Sequence, residues 1–265
     1  MAVHIDGAVA VVTGAGSGIG RSIAMALASG GASVVAGDIN AESAADTAAM
    51  IGGIGVAADA STQDGIAALL DAARKTFGPT DIYVANAGIT GEPGLGDDEA
   101  AWDRIIDINL RAHIRAAKAV MPEWVERGSG HFVVTASAAG LLTQLGAGPY
   151  SVTKHAAVGF AEWLAIRYGD NGIGVSCLCP MGVDTPLLRG MSSSPEEEIR
   201  VAGSAVTSAG AVISPDTVAA LVVQAIVDGT FLVLPHPEVL TMYRQKGADY
   251  ERWIAGMRRY QRSLR

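Results

Sequence analysis

Tyr150 and Lys154 place a phenol and an ammonium group four residues apart in a helix-compatible segment, Tyr150-Ser151-Val152-Thr153-Lys154. That spacing puts both side chains on one helical face, where the cation favours the phenolate and makes the tyrosine usable as an acid or base near neutral pH. Taken alone, the pair describes an exposed helix edge at least as well. Two further features change the balance: a serine, Ser137, thirteen residues before the tyrosine, and a glycine-rich segment near the N-terminus, Thr13-Gly14-Ala15-Gly16-Ser17-Gly18-Ile19-Gly20.

The glycine segment follows an apolar run that reads as a strand and opens a run that reads as a helix, the context in which such a pattern can cradle a dinucleotide. Gly14 permits the tight turn, Gly18 allows the backbone to approach a pyrophosphate, and Gly20 allows helix and sheet to pack closely, while the helix N-terminus offers free N–H groups. Asp38 ends the second apolar run, where a carboxylate can accept hydrogen bonds from ribose hydroxyls and repel a 2′-phosphate; the plainer reading is a solvated charge at a strand end.

In this order, the glycine segment, Ser137 and the Tyr-x-x-x-Lys pair resemble the short-chain dehydrogenases/reductases, over about residues 5 to 235. The resemblance implies four catalytic residues: Tyr150 as the proton-transferring group, Lys154 to lower its pKa and bind the nicotinamide ribose, Ser137 to hold the substrate oxygen, and Asn109 to hold a water linking the lysine to solvent. It also implies a cofactor shell of Gly14, Ser17, Gly18, Ile19, Gly20, Asp38, Ile39, Asp59, Ala60, Asn86, Gly88, Val183 and Thr185, together with Tyr150 and Lys154. Ala58-Asp59-Ala60 is similar to the family's adenine contact. Ala85-Asn86-Ala87-Gly88 is similar to its Asn-Asn-Ala-Gly motif with the first asparagine replaced, and Met181 stands where glycine is usual. Where relatives that use NADP place a basic residue, this chain has Ser17, Ile39 and Asn40, so NAD is expected ahead of NADP. The implied reaction interconverts a secondary alcohol and a ketone. A dinucleotide sensor without chemistry is the alternative from another class, and the intact Ser137, Tyr150 and Lys154 count against it; a lyase or epimerase would need a larger C-terminal substrate region.

Short β-branched runs alternate with alanine-rich stretches, the pattern of a parallel sheet covered on both faces. Strands are expected at Ala8–Thr13, Ser33–Gly37, Ile54–Ala58, Ile82–Ala85, His131–Ala136, Val175–Cys179 and Phe231–Leu234, giving an α/β, Rossmann-type, doubly wound seven-stranded parallel sheet in a single domain. Residues 1–235 form the catalytic body, with a substrate loop at 184–215, and residues 236–265 form a helical tail of the same domain. Leu141, Leu142, Leu145, Met181, Leu187, Leu188 and Met191 fall in segments that line the cleft in the family, which would favour an apolar substrate.

With 49% hydrophobic and 17% charged residues the 265-residue chain is not disordered, and its net charge of −8 excludes nucleic acid as a partner. No apolar run is long enough to span a membrane, and Met1-Ala2-Val3-His4-Ile5-Asp6 has neither the basic start nor the apolar core of a signal peptide, so a cytoplasmic location is expected. Cys177 and Cys179 read as buried thiols, too close in a strand for a disulfide. No metal site is expected, and His4, His113, His131, His155 and His236 read as surface or strand-end residues, with His155 placed to tune the site. Glu196-Glu197-Glu198 reads as the first turn of a helix with a solvated face. The tail holds seven Lys/Arg and three Asp/Glu, a balance of +4 on an acidic body. Tyr243, Tyr250, Met257 and Leu264 recur at seven residues in it, an apolar face expected to cover the chain's own body or, preferably, a second subunit of a homodimer or homotetramer.

Overall fold

Val9 and Val11 of strand β1 (Val9–Thr13) face one side of the sheet and Ala10 and Val12 the other, and all four are buried. This two-residue alternation, apolar on both faces, is what a strand needs when helices cover it above and below. In the computed structural model, which describes residues 3–96 and 98–264, seven such strands form one parallel sheet. Met1, Ala2 and Arg265, which belong to the terminal segments read above, lie outside the described residues. The strands are β1, β2 (Ser33–Asp38), β3 (Ile54–Ala57), β4 (Ile82–Ala85), β5 (Gly130–Thr135), β6 (Ile173–Leu178) and β7 (Leu232–Val233). Their spatial order is β3-β2-β1-β4-β5-β6-β7. The chain reverses direction across the sheet between β1 and β4, and the carboxyl ends of strands at such a switch point open a crevice for a ligand.

Tyr83, Phe132, Val134, Val175 and Cys177 share the face of Val9 with helices α3 (Gln63–Thr76), α5 (Ala112–Arg127) and α7 (Gly148–Tyr168). On the other face Val34, Ile82, Val133 and Leu178 meet α1 (Gly18–Ser29) and α10 (Pro215–Asp228). Helix α2 (Ala41–Ile51) flanks β2 and β3, and α4 (Glu99–Ile106) leads through a π-helical turn, Asp107–Arg111, into α5. A short α6 (Ala139–Leu142) follows β5. Several helices start on side-chain caps: Asn40, Thr62, Asp98 and Ser214 each accept from the backbone N–H three residues on.

The expected strands are all present, with ends moved by a residue or two and β7 reduced to two residues. The segment expected as a loop at 184–215 contains two helices, α8 (Pro186–Ser192) and α9 (Glu197–Ala209). Glu196 caps α9 and Glu197 and Glu198 fill its first turn, as the acidic run implied. Cys177 and Cys179 are free and buried, their sulfurs 3.8 Å apart.

His4 is exposed as expected, but three other histidines are buried. His113 is buried in α5, its two ring nitrogens without hydrogen-bond partners among the described residues. His131 is buried within β5 and shares a 2.9 Å hydrogen bond with Ser176. His236, also buried, accepts from the Met181 N–H. Burial, with the charge of Lys154, holds His113 down to about 3, and burial holds His131 down to about 4, so both stay neutral.

The tail corrects a second expectation. Asp249 caps a new helix by accepting from the Arg252 N–H, so the tail is two helices, α11 (Glu238–Ala248) and α12 (Tyr250–Ser263). The break interrupts the helical phase. Tyr243 and Tyr250 therefore remain exposed, and the seven-residue recurrence does not make one buried stripe. The tail docks on its own chain: Lys246 Nζ donates to the Leu141 carbonyl at 2.6 Å, Tyr260 donates to the Ala205 carbonyl at 2.9 Å, and Met242 and Trp253 pack against the core.

Candidate active site

At the carboxyl end of β1 the chain must turn sharply under the next strand. Gly14 takes φ +63, and a Cβ there would press on Ala87 Cα at 3.0 Å and Asn86 Nδ2 at 3.1 Å. Gly18 takes φ +52, with Thr185 Cγ2 3.1 Å from where its Cβ would stand. A side chain at Gly20 would overlap the Gly14 carbonyl, so the third glycine brings helix α1 against the turn itself rather than against the sheet. Ser17 caps α1 without using its side chain, so the first-turn N–H groups point outward as a ready anion site. Asp38 is fixed beside them: Oδ2 accepts from the Gly16 N–H and Oδ1 from the Asn40 N–H, each at 2.9 Å.

Asn86 ties three strand ends together. Its Nδ2 donates to the Thr13 carbonyl at 3.0 Å, its Oδ1 accepts from the Thr135 hydroxyl, and the Thr13 hydroxyl accepts from the N–H groups of Asn86 and Ala87. The structural roles of Thr13 and Thr135 were not read from the sequence, because nothing in a lone threonine at a strand end distinguishes it. Past β6, Gly182 and Asp184 make the two backbone bonds to Ile213, which leaves the N–H and C=O of Val183, between them, facing the cavity side. Thr185 caps α8 by accepting from Leu188 N–H, so its own proton is free to donate.

The proton-handling end lies where β5 and β6 finish. Ser137 Oγ accepts from the Ala139 N–H at 3.1 Å and donates to the Pro180 carbonyl at 3.4 Å, and it lines the same cavity end as Tyr150. Lys154, buried in α7, donates to the Thr135 carbonyl at 2.9 Å, with Nζ 5.6 Å from the centroid of the Tyr150 ring. Burial pushes the Tyr150 phenol up and the Ser137 hydrogen bond draws it down. Burial pushes Lys154 down to about 8. The lowering of the tyrosine expected from Lys154 is thus not what dominates here: the ammonium spends its hydrogen bond on Thr135 and desolvation outweighs the rest. Asn109 sits in the π turn with its amide engaged on both sides, Oδ1 accepting from the Ile89 N–H and Nδ2 donating to the Ile89 carbonyl and Thr153 hydroxyl. That amide acts first as a clamp on the segment after β4. His155 does not tune the site as expected, since it faces Lys246 and the Ser151 carbonyl, one residue and about 100° around the helix from Lys154.

One cavity of about 400 Å³ joins the two ends. Gly14, Ser17, Gly18, Ile19, Gly20, Asp38, Ile39, Asp59, Ala60, Asn86, Gly88, Ser137, Tyr150, Lys154, Val183 and Thr185 all line it. Asn109 stands behind that wall. Its Oδ1 is 3.2 Å from where a Gly88 Cβ would lie. Met181, Leu187, Leu188 and Met191 line the cavity as expected, whereas Leu141 belongs to the core and Leu142 and Leu145 line a second, neighbouring cavity.

A model of short chain dehydrogenases matches residues 8–196, well over half of the chain. The chain is a short-chain dehydrogenase. It is 37% identical over 218 residues to a cis-4-hydroxycyclohexanecarboxylate dehydrogenase of Sinomonas cyclohexanicum, a match covering 80% of this chain and 86% of the relative. A cyclohexanol dehydrogenase of an Acinetobacter species is 36% identical, covering 71% of this chain and 78% of its own length. Among solved structures, a short chain dehydrogenase/reductase from Burkholderia phymatum in complex with NAD superposes with a TM-score of 0.84 at 31% identity, covering 94% of this chain and 96% of that one. At the level of the family, this short-chain dehydrogenase is an oxidoreductase of alcohols and ketones that uses a nicotinamide dinucleotide. Among the described residues no helix is long and apolar enough to cross a membrane.

Proposed function

We propose that this short-chain dehydrogenase uses NAD to interconvert an apolar, alicyclic secondary alcohol and its ketone. The observation that carries the reading is the cavity that has Asp38 at one end and Ser137, Tyr150 and Lys154 together at the other. The residues fit a dinucleotide: two glycines leave room where a Cβ would touch the opposite wall, an uncapped helix N-terminus faces the same space, and an aspartate stands where ribose hydroxyls would reach. The cavity wall beside Asp38 is Ser17 and Ile39. Arg21, the nearest arginine along the chain, is engaged by the Gly16 carbonyl and the Thr47 hydroxyl and does not line the cavity, so a 2′-phosphate would meet the Asp38 carboxylate first.

When bound, the nicotinamide supplies the hydride acceptor or donor. The chain's own groups handle the proton and the oxygen. In the oxidising direction the alcohol oxygen hydrogen-bonds the Ser137 hydroxyl, and Tyr150, as phenolate, takes the alcohol proton; in the reducing direction the phenol returns it. Lys154 remains charged below about pH 8 beside the ring, which supports the phenolate when it forms. The Ala139 N–H fixes the Ser137 oxygen, and its hydroxyl proton, on the Pro180 carbonyl at 3.4 Å, turns to the substrate oxygen to stabilise the developing charge. The cleft end is walled by Met181, Leu187, Leu188 and Met191, which supports an uncharged hydrocarbon ring over a sugar. The alicyclic class follows the activities of the two dehydrogenases that the chain resembles.

A homodimer or homotetramer belongs to the same reading, supported by Trp163 and by Ile166, which is 83% exposed, on the outer face of α7. A cytoplasmic location belongs to the same reading. The direct test is a panel of cyclic secondary alcohols with NAD and with NADP, followed at the nicotinamide absorbance band. Turnover with NADP alone, or on none of the alcohols or their ketones, would overturn the proposal.

A further inference from the structure

Gln144, Met181 and Val206 wall the catalytic cavity on one side and a second cavity, of about 360 Å³, on the other. The tail builds the far wall of this second chamber. Met242 comes from α11 and Trp253, Met257 and Tyr260 from α12. No residue lining the chamber carries a charge. A gap beneath a terminal helix can be mere loose packing, but here the helices are held at both ends of the gap. Lys246 donates to the Leu141 carbonyl and Tyr260 to the Ala205 carbonyl, so the polar groups of the tail are used to suspend it over apolar surface. Trp253 and Met242 in turn reach the main core.

The partition is fixed in its backbone and soft in its side chain. The Met181 N–H donates to Nδ1 of buried His236 at 3.2 Å, and Nε2 of the same ring lies 3.1 Å from the carbonyls of Gly182 and Ala211. Beyond that anchor, an unbranched thioether with three rotatable bonds separates the two cavities. Gln144 is pinned beside it, with its N–H on the Ser151 hydroxyl and its amide on the Ala202 carbonyl.

We propose that the chamber under α12 is a distal substrate subsite, which receives the apolar body of a ketone or secondary alcohol whose oxygen lies at Ser137 and Tyr150. The preferred substrate is then an uncharged molecule with a bulky hydrocarbon substituent, such as a second ring, rather than a lone small ring. This rests on the dehydrogenase reading and names its substrate class. The argument for this occupant is adjacency across one movable side chain: the chamber shares the Met181 wall with the reacting end, lacks charge, and lies within the range of about 300–1,000 Å³ common for small-molecule sites.

The test pairs 4-phenylcyclohexanol with cyclohexanol. The wild type should show a kcat/KM ratio of about tenfold or more in favour of the larger alcohol, since each methylene-sized contact in an apolar pocket is worth about tenfold or more. Met257→Glu, which puts a charge on the chamber wall, should bring the ratio close to one. A wild-type ratio near one, or a ratio that Met257→Glu leaves alone, overturns the proposal. A second arm needs no turnover. Titration with 4-(4-bromophenyl)cyclohexanone should quench tryptophan emission in the wild type through the heavy atom beside Trp253, and much less in the conservative Trp253→Phe. Equal quenching in both proteins overturns the subsite. Quenching that depends on Trp253 in a protein that oxidises no alcohol would leave the subsite standing and remove the dehydrogenase reading.

Discussion

Replacing Lys154 by methionine should exchange activity for stability in a way that pH reveals. The lysine is 3% exposed, and burial lowers it from 10.5 to about 8. Below pH 8 the folded and unfolded chains both hold the proton, and the fold carries the whole cost of a desolvated ammonium. Between pH 8 and 10.5 the unfolded chain still holds the proton while the folded chain gives it up. Stability therefore rises with pH across this window, because the unfolded state binds more protons there. At 1.36 kcal/mol per pKa unit, the span corresponds to about 3 kcal/mol for the wild type and to nothing for Lys154→Met. Urea denaturation of both proteins at pH 7 and pH 10 measures the difference, and groups that titrate in both cancel. The stability of the variant minus that of the wild type should fall by about 2–3 kcal/mol between the two pH values. The absolute difference at pH 7 is smaller, because methionine leaves the Thr135 carbonyl without the donor at 2.9 Å. A difference constant to within about 0.5 kcal/mol would show that Lys154 does not titrate as a buried cation, and the reasoning about its charge beside Tyr150 would go with it.

Tyr150→Phe should fold and bind dinucleotide, measured by calorimetry, but lose about 10²–10⁴-fold in kcat; near-normal turnover would remove Tyr150 from the proton path. The wild type should bind NAD at least about tenfold more tightly than NADP, and Asp38→Asn should shrink that preference while keeping an acceptor for Gly16, so an unchanged ratio would place the ribose elsewhere. Lys246→Ala leaves the Leu141 carbonyl unsatisfied and should lower stability by about 1–3 kcal/mol and speed tryptic cleavage in α12; unchanged cleavage would mean that the tail is held by other contacts. His113 is neutral in the fold down to about 3 but takes a proton near 6.5 when unfolded, so acid below 6.5 costs stability. His113→Leu should therefore gain about 2 kcal/mol more at pH 5 than at pH 7, read by the same denaturation assay.

The chemistry was legible because spacing carries it. Tyr150 and Lys154 share a helical face at any tertiary arrangement, and Gly14 and Gly18 declare left-handed backbone that the structure bears out at φ +63 and +52. Strands buried on both faces are legible for a like reason, since β-branched runs without polar alternation have few other uses. The sequence by itself therefore determined the doubly wound sheet, the glycine turn and most of the residues that line the cavity.

Tertiary structure decided what depends on contacts between distant segments. His113 looks like any helix histidine until α5 is packed, and only burial makes it neutral. Asn109 was read as a single polar group of the site, and only packing brings its amide onto Ile89, twenty residues away. The tail's seven-residue recurrence suggested one face and a partner. The cap at Asp249 breaks the helix, and docking onto Leu141 and Ala205 turns Trp253 and Tyr260 into the roof of a chamber on the same chain. Local spacing is fixed by the covalent chain and helical geometry, whereas desolvation and enclosure arise only when elements far apart in sequence are brought together.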